Sequence, residues 1–287
     1  MEKLRLVAKE INQLLEHRRK ELSLTFIEDT HTYYMSDING VIKSNFPSVS
    51  KVIEKFYNPF DAESKSLQMC KGDVIQQRIL LGEWKSKGNF ATNMGSRVHY
   101  MLEKYLISLY NNYKEVRQPI FVCNETQTNT GNKMICAGEN YIKLMHDRGA
   151  ILLDTEIVLG DNILGYTGQP DKVWLMYNRD KTGFGIVITD WKTNQPKNFE
   201  VMPWTGFLFS PFDEYNDTAL QHYYLQLPLY GRLIIEMLKN TKYSNLPLLG
   251  CVVVLLKDDS TYVEYKVPET FNKRILTMNL DKYVLGH

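Results

Sequence analysis

The sequence is short of most features that would place a protein in a function class at a glance. Cysteine is scarce: Cys70, Cys123, Cys136 and Cys251 are scattered and form no C-x-x-C pair. Neither a zinc site nor a disulfide framework is indicated, and thiols in a reducing compartment are the default. No apolar run is long enough for a signal peptide or a membrane span, and the N-terminus is charged, so the expectation is a cytoplasmic protein that stays inside the cell that makes it. Charge of one sign is also missing. Thirty-four Lys and Arg stand against 33 Asp and Glu, so a basic surface for nucleic acid would have to be local and balanced by acidity elsewhere. There is no glycine-rich phosphate loop and no long βαβ repeat, which leaves an α/β core with a mixed sheet flanked by helices. At 287 residues, 44% of them hydrophobic, the chain is large enough for one sizeable domain with an appended segment.

What is present is concentrated between Gly165 and Asn194. Gly183 to Thr189 is nearly all apolar or β-branched, the pattern of a central strand buried on both faces. That strand ends in Asp190-Trp191-Lys192, and because alternate residues share a face, Asp190 and Lys192 project together while Trp191 points the other way. Asp171 opens the preceding strand. Buried charges are costly unless paired or metal-bound. Two carboxylates side by side form a hard oxygen site suited to Mg²⁺ or Mn²⁺, and a lysine beside them suits a phosphate-like anion.

Pro170-Asp171 followed by Asp190-x-Lys192 resembles the signature of the PD-(D/E)XK nuclease superfamily. Gly95-x-x-x-His99-x-x-x-Glu103 is similar to a helix of its RecB-like exonuclease branch, in which the histidine is a metal ligand, and Gln226-x-x-x-Tyr230 resembles that branch's Q-x-x-x-Y motif. The three motifs run in the family's order from Gly95 to Tyr230. A looser resemblance, to the leader of phage-type members, lies in His31-x-Tyr33, Ser48-Val49-Ser50 and Pro59-Phe60-Asp61.

The resemblance implies a restriction-endonuclease-like αβββαβ core and a metal-dependent DNA nuclease, first an exonuclease acting on DNA ends in recombination, repair or viral genome processing. A structure- or sequence-specific endonuclease of the same fold, or a non-catalytic nucleic-acid-binding protein, is the alternative. In that reading His99, Asp171, Asp190 and the main-chain carbonyl of Trp191 hold one or two Mg²⁺ or Mn²⁺ ions, and Lys192 orients water or steadies charge at phosphorus. Gly95, Ser96, Gln226 and Tyr230 contact DNA, with Gln221 a spare candidate. Glu103 is an outer ligand or a support for His99; the helix taken alone favours a partly buried histidine hydrogen-bonded to Glu103, and Asp171, Asp190 and Lys192 turn the reading to metal ligation. Glu156 either helps organise the metal or faces water at a sheet edge. The C-terminal cysteine cluster of some relatives is missing, so no iron–sulfur cluster is expected. DNA is the implied partner, with a recombination or replication protein as a second.

Along the chain, residues 1–21 predict an amphipathic helix ending in Arg18-Arg19-Lys20, a phosphate contact or simply a favourable helix end. Residues 22–44 predict short strands with an Asn39-Gly40 turn, and Ser48 or Ser50 caps a helix closed by Asn58 to Asp61. Residues 62–90 read as helices in which Trp84 and Phe90 pack. A separate helix from Thr92 to Tyr110 would place Gly95 near its start, open to a backbone or phosphate. Residues 111–136 read as a polar loop, Ala137–Arg148 as a helix and Ile151–Leu159 as one strand with Glu156 inside it. Residues 195–217 read as a loop lining a substrate channel, and 218–239 as a helix that Pro228 should kink or restart. Two strands and one helix from Pro268 to Val284 complete the chain. The expected division is 1–90, an N-terminal segment, and 91–287, the nuclease core.

Overall fold

The computed structural model describes residues 2–110, 119–194, 199 and 206–284. Helix α1 (Glu2–Glu21) buries Leu4, Ala8, Ile11 and Leu15, the spacing of one helical stripe. A small antiparallel sheet follows, of β1 (Thr25–Ile27), β2 (Thr32–Ser36) and β3 (Ile42–Lys43). Helix α2 (Val49–Ile53) starts where Ser48 accepts a hydrogen bond from the Lys51 backbone N–H, and it passes into a 3₁₀ turn at Glu54–Phe56. Then come α3 (Ala62–Met69), α4 (Val74–Tyr110) and α5 (Glu125–Asp147). The central region holds β4 (Ile151–Thr155), β5 (Leu159–Asp161), β6 (Tyr166–Gly168), β7 (Lys172–Tyr177) and β8 (Phe184–Lys192). The chain ends with α6 (Ala219–Met237), β9 (Leu248–Leu256), β10 (Tyr262–Lys266), α7 (Glu269–Thr277) and α8 (Asp281–Val284).

The architecture is mixed α/β. The main sheet has the order β10-β9-β8-β7-β4, antiparallel throughout except that β8 and β9 are parallel, joined through α6. From α5 onward the core runs helix, three antiparallel strands, helix, strand, with the β5–β6 hairpin inserted between β4 and β7. Strand alternation divides the interior in two. Val173, Leu175, Ile186 and Ile188 pack with α1, α2, α6 and α7, whereas Leu152, Trp174, Trp191 and Val254 pack with α4 and α5. No helix among the described residues is long and apolar enough to cross a membrane.

Several local expectations are corrected. The helices read separately across residues 74–110 are one 37-residue element, so Gly95 lies within α4 rather than near a helix start. Gly82 and Gly88 are carried inside it at a cost of up to about 1 kcal/mol each. Only its later half, from Met94, buries side chains, and Phe90 is exposed at 41%, not packed. The predicted loop at 111–136 falls partly outside the described residues, but from Glu125 it is α5. Asn124 and Gln127 form a reciprocal capping box there, so the polar residues that read as loop are a cap and a solvent-facing helix surface. Gly138 lets α5 close onto α4, since a Cβ there would stand 2.4 Å from Leu102 Cδ1. The strand expected from Ile151 to Leu159 breaks after Thr155, where Glu156 adopts φ 48°. Pro228 sits inside an unbroken α6 whose flanking residues are buried, so packing holds the helix through the missing N–H. The C-terminal helix is two, separated at Met278–Leu280.

Gly185 tests the packing of β8. A Cβ at this position would lie 2.4 Å from the backbone oxygen of Pro247, an atom that cannot rotate away. Gly185→Ala is expected to destabilise the fold by about 2–3 kcal/mol, read as a lower urea midpoint at unchanged slope.

Candidate metal centre

Three separate segments meet at one end of the main sheet. Register places Lys172 opposite Thr189, so Asp171, the residue before β7, sits beside the last turn of pleat in β8. The Trp191 backbone N–H donates to Asp171 Oδ2 at 2.7 Å, fixing the carboxylate against the neighbouring strand. From the other side, the Glu156 N–H donates to the Asp171 carbonyl at 3.1 Å, and Gln169 Nε2 donates to the Glu156 carbonyl at 3.0 Å. Glu156 is thus stitched in place at the point where the chain leaves β4 in a left-handed conformation. That conformation costs a non-glycine residue about 1 kcal/mol or more, and such strain persists only where surrounding bonds over-determine it.

Helix α4 delivers the imidazole. Gly95, one turn before His99, allows close approach: a Cβ there would stand 3.1 Å from Thr193 Oγ1, just past the end of β8. His99 Nδ1 then lies 3.4 Å from Asp171 Oδ2. One ligand atom each from His99, Glu156 and Asp171 falls within 4.8 Å of the others. A nitrogen and two carboxylate oxygens at this separation can hold a metal ion, and a donor set rich in oxygen fits a hard divalent cation.

Asp190 stands outside that trio. Its Oδ2 is buried against the Lys192 ammonium, with no hydrogen-bond partner otherwise among the described residues. Burial and the negative charge of Asp171 raise the Asp190 pKa, with Lys192 opposing them. For Asp171 burial alone would do the same, but His99, Lys172 and Lys192 together outweigh it and hold this carboxyl well below its usual range. Lys192 is itself raised, because Asp190 and Asp171 overcome its desolvation. Its Nζ also lies 4.3 Å from the ring centroid of Tyr223 on α6.

The remaining sequence candidates have distinct surroundings. Gly95, Ser96, His99 and Glu103 border a cleft of about 920 Å³, with Glu156 and Arg19 of α1 on other parts of its wall. Gln226 Nε2 donates to the Tyr230 hydroxyl at 2.8 Å, and the Tyr230 ring is buried against Gly168, where a Cβ would come within 2.6 Å of it. Gln221 belongs to the start of α6, its Oε1 accepting from the Thr218 hydroxyl of the helix cap. The Trp191 indole points away from the centre, edge-on to Tyr141 of α5 at 5.3 Å.

Sequence reasoning missed Lys172. It is 2% exposed, with Nζ 3.4 Å from Asp171 Oδ2 and 4.1 Å from the Trp191 ring centroid. Burial lowers its pKa against the pull of Asp171, Glu156 and Asp190. The available signal was a lysine heading the otherwise apolar run Val173-Trp174-Leu175-Met176.

No protein-family model and no curated protein matches the chain. Among solved structures, one from Eubacterium rectale named a putative exonuclease aligns at 14% identity with a TM-score of 0.44, over 84% of this chain and 82% of that one.

Proposed function

We propose that this chain is a Mg²⁺- or Mn²⁺-dependent deoxyribonuclease of the PD-(D/E)XK superfamily, in its RecB-like branch, that hydrolyses phosphodiester bonds at DNA ends. The observation that supports it is the meeting of His99, Glu156 and Asp171 within 4.8 Å beside the Asp190–Lys192 pair. These groups come from a helix, a kinked loop and two strand ends, and few structural needs would gather such costly charges at one place.

In this reading His99, Glu156 and Asp171 hold the ion, with Asp190 and the Trp191 carbonyl as further oxygen donors. A bound Mg²⁺ or Mn²⁺ would supply an acidified water and a Lewis acid for the scissile phosphate. Lys192, confined between Asp190 and the face of Tyr223, orients the attacking water or steadies negative charge growing on the phosphoryl oxygens. Glu103, one turn from His99 on the same cleft wall, orients the imidazole. Gly95 and Ser96 leave the α4 wall low enough for a sugar–phosphate backbone, and Gln226, braced by Tyr230, contacts the strand. The enzyme would act inside the cell, in the host cytoplasm for a viral protein, with a recombination or replication protein as its partner.

The test compares linear duplex with covalently closed circular DNA. With Mg²⁺ or Mn²⁺ the linear substrate is expected to be degraded and the circle spared, and EDTA is expected to stop the reaction until metal is restored. Cutting of the circle would move the assignment to an endonuclease. Full activity in EDTA would remove the metal mechanism.

A further inference from the structure

We propose that Lys172 is a fixed cation built into this centre, standing where a second divalent ion would otherwise supply charge, so that the site works with a single ion. This rests on the metal-centre reading above and concerns a residue that the PD and D-x-K pattern does not include.

Burial keeps Lys172 away from the cleft, whose lining does not include it. Its position in β7 puts it on the sheet face shared by Trp174 and Trp191, which packs against α4 and α5, whereas Asp190 and Lys192 lie on the opposite face. The ammonium therefore approaches Asp171 from beneath, 3.4 Å from Oδ2, with the Trp191 ring covering it at 4.1 Å. At 2% exposure it has no path to the cleft and cannot touch DNA. A lysine placed only to pair with a carboxylate would be cheaper at the surface. Here its desolvation is borne where three carboxylates converge.

Formal charge shows what this accomplishes. Glu156, Asp171 and Asp190 face Lys172 and Lys192, which leaves these five groups with a net charge of −1 when His99 is uncharged. One divalent ion brings the centre to a single positive charge, which a phosphodiester cancels. A second ion would leave two charges uncompensated after substrate binds, in surroundings where each is expensive. With Lys172 present, the second ion is both unnecessary and repelled.

This role differs in sign from a structural one. If Lys172 merely anchors Asp171, replacing it loosens a ligand and weakens metal binding. If it is a resident cation, removing its charge strengthens metal binding. Calorimetric titration of Mn²⁺ into the full chain distinguishes them, with folding checked by circular dichroism. Lys172→Met and Lys172→Gln are expected to bind Mn²⁺ about tenfold or more tightly than wild type; Gln keeps a donor for Asp171 should Met fail to fold. Lys172→Arg, which keeps the charge, is expected to stay within about twofold of wild type. Unchanged or weaker binding in the neutral variants, or equal tightening in Lys172→Arg, overturns the proposal. Wild-type stoichiometry supplies a check independent of the variants' folding: one ion that disappears in Asp171→Asn supports it, and two such ions overturn it. A wild-type chain that binds no Mn²⁺ would instead bring down the metal-centre reading itself.

Discussion

Asp171→Asn is expected to lower DNA cleavage by ~10³-fold or more, about 4 kcal/mol of transition-state stabilisation at 1.36 kcal/mol per decade. The carboxylate stands between His99 at 3.4 Å and Lys172 at 3.4 Å, and it accepts from the Trp191 N–H at 2.7 Å. Asparagine keeps the acceptor for Trp191 and the approximate shape, but it removes the charge that pairs with the buried Lys172 and that the proposed ion would need. Loss of one partner from a buried pair costs about 3–5 kcal/mol. The variant should therefore show a lower urea midpoint as well as lost cleavage. Asp171→Ala, which also strands the Trp191 N–H, should be less stable still. The decisive measurement is single-turnover cleavage of linear DNA by Asp171→Asn at a temperature where circular dichroism shows it folded. Cleavage at the wild-type rate would remove Asp171 from the mechanism.

Lys192→Ala is expected to reduce turnover by about 10²–10³-fold, the scale seen when one preorganised donor to developing charge is removed. Unlike Asp171, Lys192 is not one of the proposed ligands, so Mn²⁺ binding should survive and only the chemical step should suffer. A second signature follows from Asp190. Its pKa is raised by burial and by Asp171, and Lys192 opposes them more than His99 does. Without the ammonium the proton is held to a higher pH, so the acid side of the residual activity profile should move toward higher pH. Lys192→Arg should leave that limb near its wild-type position. Equal loss of metal binding and turnover in Lys192→Ala would show that the residue holds the site together rather than serving the reaction.

The parts of the centre that could be read from the chain are those whose placement depends on local repeat. Asp190 and Lys192 share a face because strand residues alternate, and β8 does end at Lys192. His99 and Glu103 share a helical face because they are four residues apart, and both border the same cleft. The unbroken apolar run of β8 likewise announced a central strand buried on both faces. Misreadings occurred where polar residues carry two meanings. Asn124 and Gln127 are loop formers by composition but a capping box once α5 packs on α4. Glu156 reads as part of a continuous strand, because nothing in Leu153-Asp154-Thr155-Glu156-Ile157 signals a residue at positive φ.

By itself, then, the sequence determined which residues are poised at strand ends and along helix faces, since side-chain periodicity is set by backbone geometry over a few residues. Only the tertiary structure decided that Glu156, rather than Asp190, stands within 4.8 Å of both His99 and Asp171, and that Lys172 is sealed beneath them. Those relations depend on the break after β4, the packing of α4 against the end of β8, and the pairing of β7 with β8. Contacts between segments so far apart in the chain arise from the sum of many weak packing terms, and no short run of residues encodes them.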